Sequence, residues 1–270
     1  MQLPEHAQVL AEERAGTLVI TLNRPEVRNA MSLSMLDQLI LLLERAVAEP
    51  TLRAIVLRGA GGNFCAGADI KDMALARVQP VTETEDPVVK ANAGFGRLCS
   101  AYARTPLPVI CALEGAVMGG GFGLACVSDV TLAAASTVFA LPETSLGVVP
   151  AQIAPFLLER LGFAQAKRLA ITGGRIGADE ALAVGLVHEV LPTREALDAA
   201  LERTLDKIYA CAPGATRATK QLMQRARVEP AETLVEHAAR VFASAARSAE
   251  GAEGTQAFLQ KRKPRWAERS

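Results

Sequence analysis

The chain has 270 residues, half of them hydrophobic and 21% charged. That composition excludes disorder as the default and supplies the core of one large domain, or of a domain with an appendage. Its 29 Lys and Arg balance 29 Asp and Glu, so no single-sign field draws it to nucleic acid.

The uncharged run Gly115–Ser128 is 14 residues and is broken by glycines, short of the ~18 that mark a membrane span. Met1–Glu5 has neither the basic end nor the apolar core of a signal peptide, and the five cysteines form no C-x-x-C pair. A soluble protein of the reducing cytoplasm is the expectation. Three histidines, His6, His188 and His237, have no i, i+4 partner, so no metal site is expected and a histidine relay has little material.

In chain order, Thr17–Leu22 reads as a strand, Ser34–Ala48 as a helix and Arg53–Arg58 as a second, buried strand. Arg77–Val88, with Pro80, Pro87 and the acids Glu83, Glu85 and Asp86, reads as a mobile loop. Pro108–Leu113 is a strand, followed by a glycine-rich turn over Gly115–Gly123, a short helix through Cys126 and a strand over Asp129–Ala134. This alternation predicts an α/β fold with largely parallel connections. Beyond Pro150 the pattern turns helical: Ala151–Leu161, Ala164–Ile171, Ala178–Val184, Arg194–Tyr209, Ala215–Arg225, Glu232–Ala246 and Gly254–Lys261, with one short strand at Leu186–Val190. The expected division is a core over 1–195 and a C-terminal helical region over 196–270.

Three segments carry candidate chemistry. Gly61–Asp69 stands where a strand hands over to a helix, and Gly119–Gly123 repeats the arrangement. Helix first turns leave N–H donors free, and small side chains let an anionic oxygen reach them. Two such nests facing one point would polarise a carbonyl, although glycines also serve simple turns and close packing. Neither segment matches a phosphate loop, and no G-x-S-x-G elbow is present. Third, Glu143 sits in the apolar run Phe139–Gly147. Desolvation there would raise its pKa toward proton-transfer range, making it a general acid or base, or else it is a capping or salt-bridged glutamate. Asp69, Glu114 and Asp129 read as caps or backbone-orienting carboxylates.

Together these segments resemble the crotonase superfamily of enoyl-CoA hydratases and isomerases. Leu22–Ala30, Asn63–Lys71, Glu114–Gly123 and Leu141–Glu143 are similar to four of its signatures in order, and Phe258–Pro264 to its C-terminal ending. The resemblance implies a spiral of ββα units with a C-terminal helical trimerisation region, as a homotrimer or dimer of trimers. It implies an acyl-CoA substrate, no cofactor beyond the coenzyme A that the substrate carries, and neither nucleic-acid nor membrane partners. On this likeness Glu143 is catalytic, with the N–H groups of Ala68 and Gly120 as the oxyanion hole. Arg28, Ala66, Ala68, Asp69, Ile70, Lys71, Gly120 and Gly123 would line the substrate. The basic run Lys261–Lys263 would either approach the nucleotide phosphates, from a neighbouring subunit, or remain a solvated tail.

One position departs from the family pattern. Ordinary hydratases carry a second glutamate where this chain has Gly123. Gly147–Pro155 and Gly119–Asp129 look most like isohexenylglutaconyl-CoA hydratases of acyclic terpene degradation, then methylglutaconyl-CoA hydratases. The expectation is therefore a one-glutamate hydratase for a bulky or branched acyl-CoA, with Gly123 leaving room beside the reacting carbon. The alternatives are a Δ3,Δ2-enoyl-CoA isomerase and a non-catalytic CoA- or RNA-binding relative.

Overall fold

A computed structural model describes residues 8–267; Met1–Glu5 and His6 lie outside the described residues. The chain begins with a hairpin, β1 (Val9–Arg14) antiparallel to β2 (Thr17–Leu22). Its two-residue turn places Ala15 at φ 43° and Gly16 at φ 74°, the left-handed pair that a tight hairpin requires. From β2 the sheet continues in parallel through β3 (Ala54–Gly59), β4 (Val109–Leu113), β6 (Val130–Ala134) and β9 (Glu189–Leu191), in the order β1-β2-β3-β4-β6-β9. Every residue of β4 is buried, as is nearly all of β3, because helices cover both faces of these parallel strands. A second sheet holds β5 (Ala116–Met118) parallel to β7 (Val138–Ala140), with β8 (Arg175–Gly177) antiparallel to β7. From β4 to β7 successive strands alternate between the two sheets, and α4 (Gly120–Val127) and α5 (Ala154–Thr172) each close one strand–strand–helix turn.

One face of the large sheet packs on α1 (Leu33–Ala48) and α3 (Pro87–Arg104). Ser32 caps α1 by accepting the Met35 N–H, and Met35, Leu36, Leu39, Leu42, Leu43 and Ala46 form its buried stripe. Each large side chain of that stripe contributes about 1.5–3 kcal/mol on burial. The other face is covered by α7 (Arg194–Ala210) through Leu197, Ala200, Leu201, Leu205 and Tyr209. The boundary expected at 195/196 therefore falls inside a helix that belongs to the sheet's second core.

Several elements differ from the sequence reading. Strand β1 and helix α3 were not expected, and the expected loop is shorter, 79–86, because α2 (Ile70–Val78) extends into it and α3 begins at Pro87. Asp86 caps α3 by accepting from the Val88 and Val89 N–H groups. The two helices expected over Ala151–Ile171 are present as the two halves of α5, separated at the non-helical Gly162, where φ is 70° and ψ 160°. The strand expected at Leu186–Val190 is β9, shifted toward the C-terminus.

After α6 (Ala178–Ala183) and α7 come α8 (Pro213–Ala226), α9 (Ala231–Arg247) and α10 (Ala249–Leu259). Helix α8 is anchored by the Lys220 ammonium, which donates to Leu107 O at 2.8 Å and pairs with Asp129. Asp129 also accepts the Val109 N–H, so one carboxylate joins β4, β6 and α8. On α9 and α10 Val235, Phe242, Phe258 and Leu259 are exposed.

Lys220→Ala strands the Leu107 carbonyl and the Asp129 carboxylate together. A loss of about 1–3 kcal/mol in unfolding free energy is expected, read from the denaturant midpoint. An unchanged midpoint would show that α8 is held by other contacts.

Candidate active site

Three segments that the sequence singled out converge at the carboxyl ends of parallel strands. The segment after β3 joins the small sheet through a parallel bridge, Cys65 to Val117, in which Cys65 N–H donates to Ala116 O and Met118 N–H to Cys65 O. Gly119 follows β5 and donates to Ala140 O at 3.0 Å, while Glu143 follows β7. The Cys65 bridge segment and the ends of β5 and β7 lie side by side and deliver Ala68, Gly120 and Glu143 to one place, where ligands of parallel sheets are commonly held.

Glycine is required at the closest approaches. Gly67 has φ 103° and Gly119 has φ 48° with ψ −111°. A Cβ on Gly119 would lie 3.0 Å from Glu143 Oε1 and 3.7 Å from Gly67 Cα. The two nests and the carboxyl group are in near contact.

Ala68 is held by Met31, whose N–H donates to Gly67 O while its carbonyl accepts the Asp69 N–H. These bonds turn the intervening Ala68 N–H away from Met31. Gly120 begins α4, where no preceding turn supplies an acceptor. Among the described residues, no hydrogen bond engages the N–H of Ala68 or of Gly120.

Asp69 does not face the reacting centre. It caps α2 by accepting the Lys71 N–H and pairs with Arg24 at 2.7 Å, both side chains largely buried. Burial works against its charge, but hydrogen bonds from Arg24 and the Lys71 N–H outweigh it and hold the carboxyl below its usual range. Asp69 thus fixes the loop that presents Ala68. Glu114 and Asp129 are likewise engaged, with Arg58 and Lys220.

Glu143 is different. Its Oε2 is buried without a hydrogen-bond partner, and burial raises its pKa against the opposing pull of its own backbone N–H. A carboxyl group in this state favours the proton more than a solvated one does and can return it at neutral pH. Cys65, beneath the same loop, is inert: burial pushes its thiol up to about 12.

Arg28 is exposed at φ 51°, and its carbonyl accepts the Ala66 N–H at 2.9 Å. With Ile70 and Lys71, also exposed, it rims the entrance beside the Ala68 nest. In the basic tail Arg262 is bound to Glu253, while Lys261 and Lys263 are exposed. Among the described residues no three His, Cys, Asp or Glu side chains gather as a metal site, and no helix is long and apolar enough to cross a membrane.

Gly123 requires a correction. The room expected beside it is occupied: a Cβ there would collide with Ile153 Cγ2 and lie 3.3 Å from Phe95 Cζ. A Cβ on Gly120 would collide with Met31 Cε and press on the same ring. An apolar wall of Met31, Phe95 and Ile153 therefore fronts this face of α4. The sequence reading missed it, as it missed Arg24, because apolar residues on separate elements carry no local signal of a shared site.

Comparison with known proteins agrees with this geometry. The family model described as Enoyl-CoA hydratase/isomerase matches residues 12–269. The 1,2-epoxyphenylacetyl-CoA isomerase of Escherichia coli (strain K12) is 32% identical, over 96% of this chain and 97% of that protein. A probable enoyl-CoA hydratase of Rhodobacter capsulatus is 35% identical, over 94% and 95%. Among solved structures, an enoyl-CoA hydratase/isomerase from Marinobacter aquaeolei superposes with TM-score 0.94 at 51% identity, covering 97% of this chain and 99% of that one. Pseudomonas aeruginosa AtuE superposes with TM-score 0.94 at 50% identity, covering 97% and 100%. With the family model matching residues 12–269 and relatives and solved structures aligned over nearly their whole length, the chain belongs to the enoyl-CoA hydratase/isomerase family.

Proposed function

We propose that the protein adds water to an α,β-unsaturated acyl-CoA to give the 3-hydroxyacyl-CoA, with Glu143 as its only acid–base group. The observation that carries this reading is the buried, unpartnered Glu143 Oε2 beside two unengaged N–H donors. As water adds to the third acyl carbon, negative charge builds on the thioester oxygen, where the Ala68 and Gly120 N–H groups receive it. Losing one such donor typically raises the barrier by about 3 kcal/mol. Glu143 takes a proton from the attacking water and delivers a proton to the second carbon, so the net change is the addition of one water. Arg28, Lys71 and the rim of Ala66 and Ile70 hold the coenzyme A portion, with the buried Asp69 fixing the loop beneath them, and no other cofactor takes part.

The acyl group is bulky and branched, of glutaconyl type, with isohexenylglutaconyl-CoA the finest reading. Two features support this: the apolar wall at Gly123 in place of a second carboxylate, and exposed Ile70, Leu146 and Val149 on the segments flanking the site. Such a chain would cover that exposed surface. The apolar wall also favours a second reading, double-bond isomerisation, because one base suffices to move a proton between two carbons. The exposed Phe242 and Phe258 of α9 and α10 support assembly as a homotrimer or dimer of trimers; the proposed location is the cytoplasm.

Mass analysis of products from crotonyl-, methylglutaconyl- and isohexenylglutaconyl-CoA separates the readings. Hydration adds one water, with the highest kcat/KM on the branched esters; an unchanged mass with a shifted double bond establishes the isomerase.

Glu143→Gln keeps the shape but cannot exchange a proton, so turnover is expected to fall by about 100-fold or more with KM little changed. Near-parental turnover would remove Glu143 from the chemistry. The same variant is expected to be more stable than the parent at pH 7. Because the folded-state pKa is raised, the native protein binds more protons than the unfolded chain between the ordinary carboxylate value and the raised one, and stability falls with rising pH across that window. Glutamine removes this loss; a lower Tm would contradict the buried-charge account.

As the base, Glu143 must be ionised, so kcat/KM is expected to rise with pH along a single limb whose midpoint lies above the ordinary carboxylate range. A midpoint at or below that range would assign the limb to another group.

A further inference from the structure

Gly123 is the residue that departs from the family pattern, yet the side chains around it decide what its absence of a side chain achieves. Ile153 is 3% exposed and stands immediately before α5, and it projects Cγ2 into the volume that a residue 123 side chain would enter. Phe95 reaches the same point from α3 and also packs over Gly120. The two contacts are fixed from outside by the neighbouring residue. Gln152 donates to Asn92 Oδ1 at 2.7 Å, and it lies so close to Gly96 that a Cβ there would collide with its amide. Asn92 and Gly96 are one turn apart on the helix that carries Phe95. This latch therefore binds the start of α5 to α3 and sets Ile153 against Phe95 over Gly123.

A carboxylate brought to position 123 would meet hydrocarbon and lose its hydration without a partner. An alkyl group on the reacting end of the acyl chain would instead gain apolar contact. We propose that Ile153 and Phe95, locked by the Gln152–Asn92 pair in the notch of Gly96, are specificity-determining residues that select an alkyl-branched enoyl-CoA and keep a second acid out of the site. This rests on the hydratase reading above. It moves the selectivity from the glycine to the wall that fills its space.

The test is a cycle of Ile153→Ala, Gly123→Glu and the double variant, measured for Tm and for kcat/KM on 3-methylcrotonyl-CoA and crotonyl-CoA. Ile153→Ala is expected to lower the branched-to-linear ratio by about tenfold, the effect of a lost methylene-scale contact. Gly123→Glu alone should lower Tm by about 5 °C or more through overpacking, and adding Ile153→Ala should recover most of that fall. The double variant should also show a further shift toward crotonyl-CoA. An unchanged ratio in folded Ile153→Ala overturns the selectivity, and a parental Tm for Gly123→Glu overturns the filled space. Should the parent hydrate neither these esters nor methylglutaconyl- and isohexenylglutaconyl-CoA, the hydratase reading fails. The wall is then judged by the Tm cycle and by the relative affinities of the two esters, equal affinities in parent and Ile153→Ala overturning it.

Discussion

A carboxyl group held out of water with one oxygen unpaired is the constraint around which this protein is arranged. Glu143 Oε2 has no partner, and its Oε1 lies so near Gly119 that any side chain there would press on it. Such a group opposes folding, because desolvation penalises the charged form. It persists because β5 and β7 are paired and Gly119 donates to Ala140 O, fixing the backbone on both sides of the carboxyl group. The unmet hydrogen-bonding capacity of Glu143 and of the Ala68 and Gly120 N–H groups is concentrated at one point. The proposed thioester and water would satisfy all three together.

The surrounding polar residues keep that point rigid without joining the chemistry. Arg24 and Asp69 neutralise one another under the Ala68 loop. Asn29, fully buried at φ 56°, donates to Ala60 O and Asn63 O and accepts the Arg24 N–H. Asn63 in turn accepts the Ala116 N–H and so ties the loop to β5. Each of these groups is paired, and Glu143 is the exception among the carboxylates of this region. The division between paired positioning groups and one unpaired carboxyl group marks the candidate site.

Much of this was legible in the sequence, for physical reasons. Strand β4 and the first four residues of β3 are continuous apolar runs, and β2 and β6 are largely apolar, because both sheet faces are covered, and the glycine clusters mark where backbone approaches backbone. Glu143 stood out as a charge within an apolar run. The strands β5, β7 and β8 have three residues each, too few for a period-two pattern to register. Helix α3 carries Gly94 and Gly96, which weaken its helical signal, yet Gly96 is what admits Gln152. Gly123 was the most instructive case. Sequence locates the missing side chain, but whether the vacated volume stays open depends on Ile153 and Phe95, which lie on other elements.

The central claim is that Glu143 is a buried, proton-retaining carboxyl group, and titration of that group tests it without relying on turnover. In protein labelled at the glutamate side-chain carboxyl carbon, the Glu143 resonance is assigned as the one missing from the spectrum of Glu143→Gln, and its shift is followed against pH by NMR. The account predicts a midpoint clearly above that of the solvent-exposed glutamates in the same spectra. A midpoint at or below theirs would contradict it.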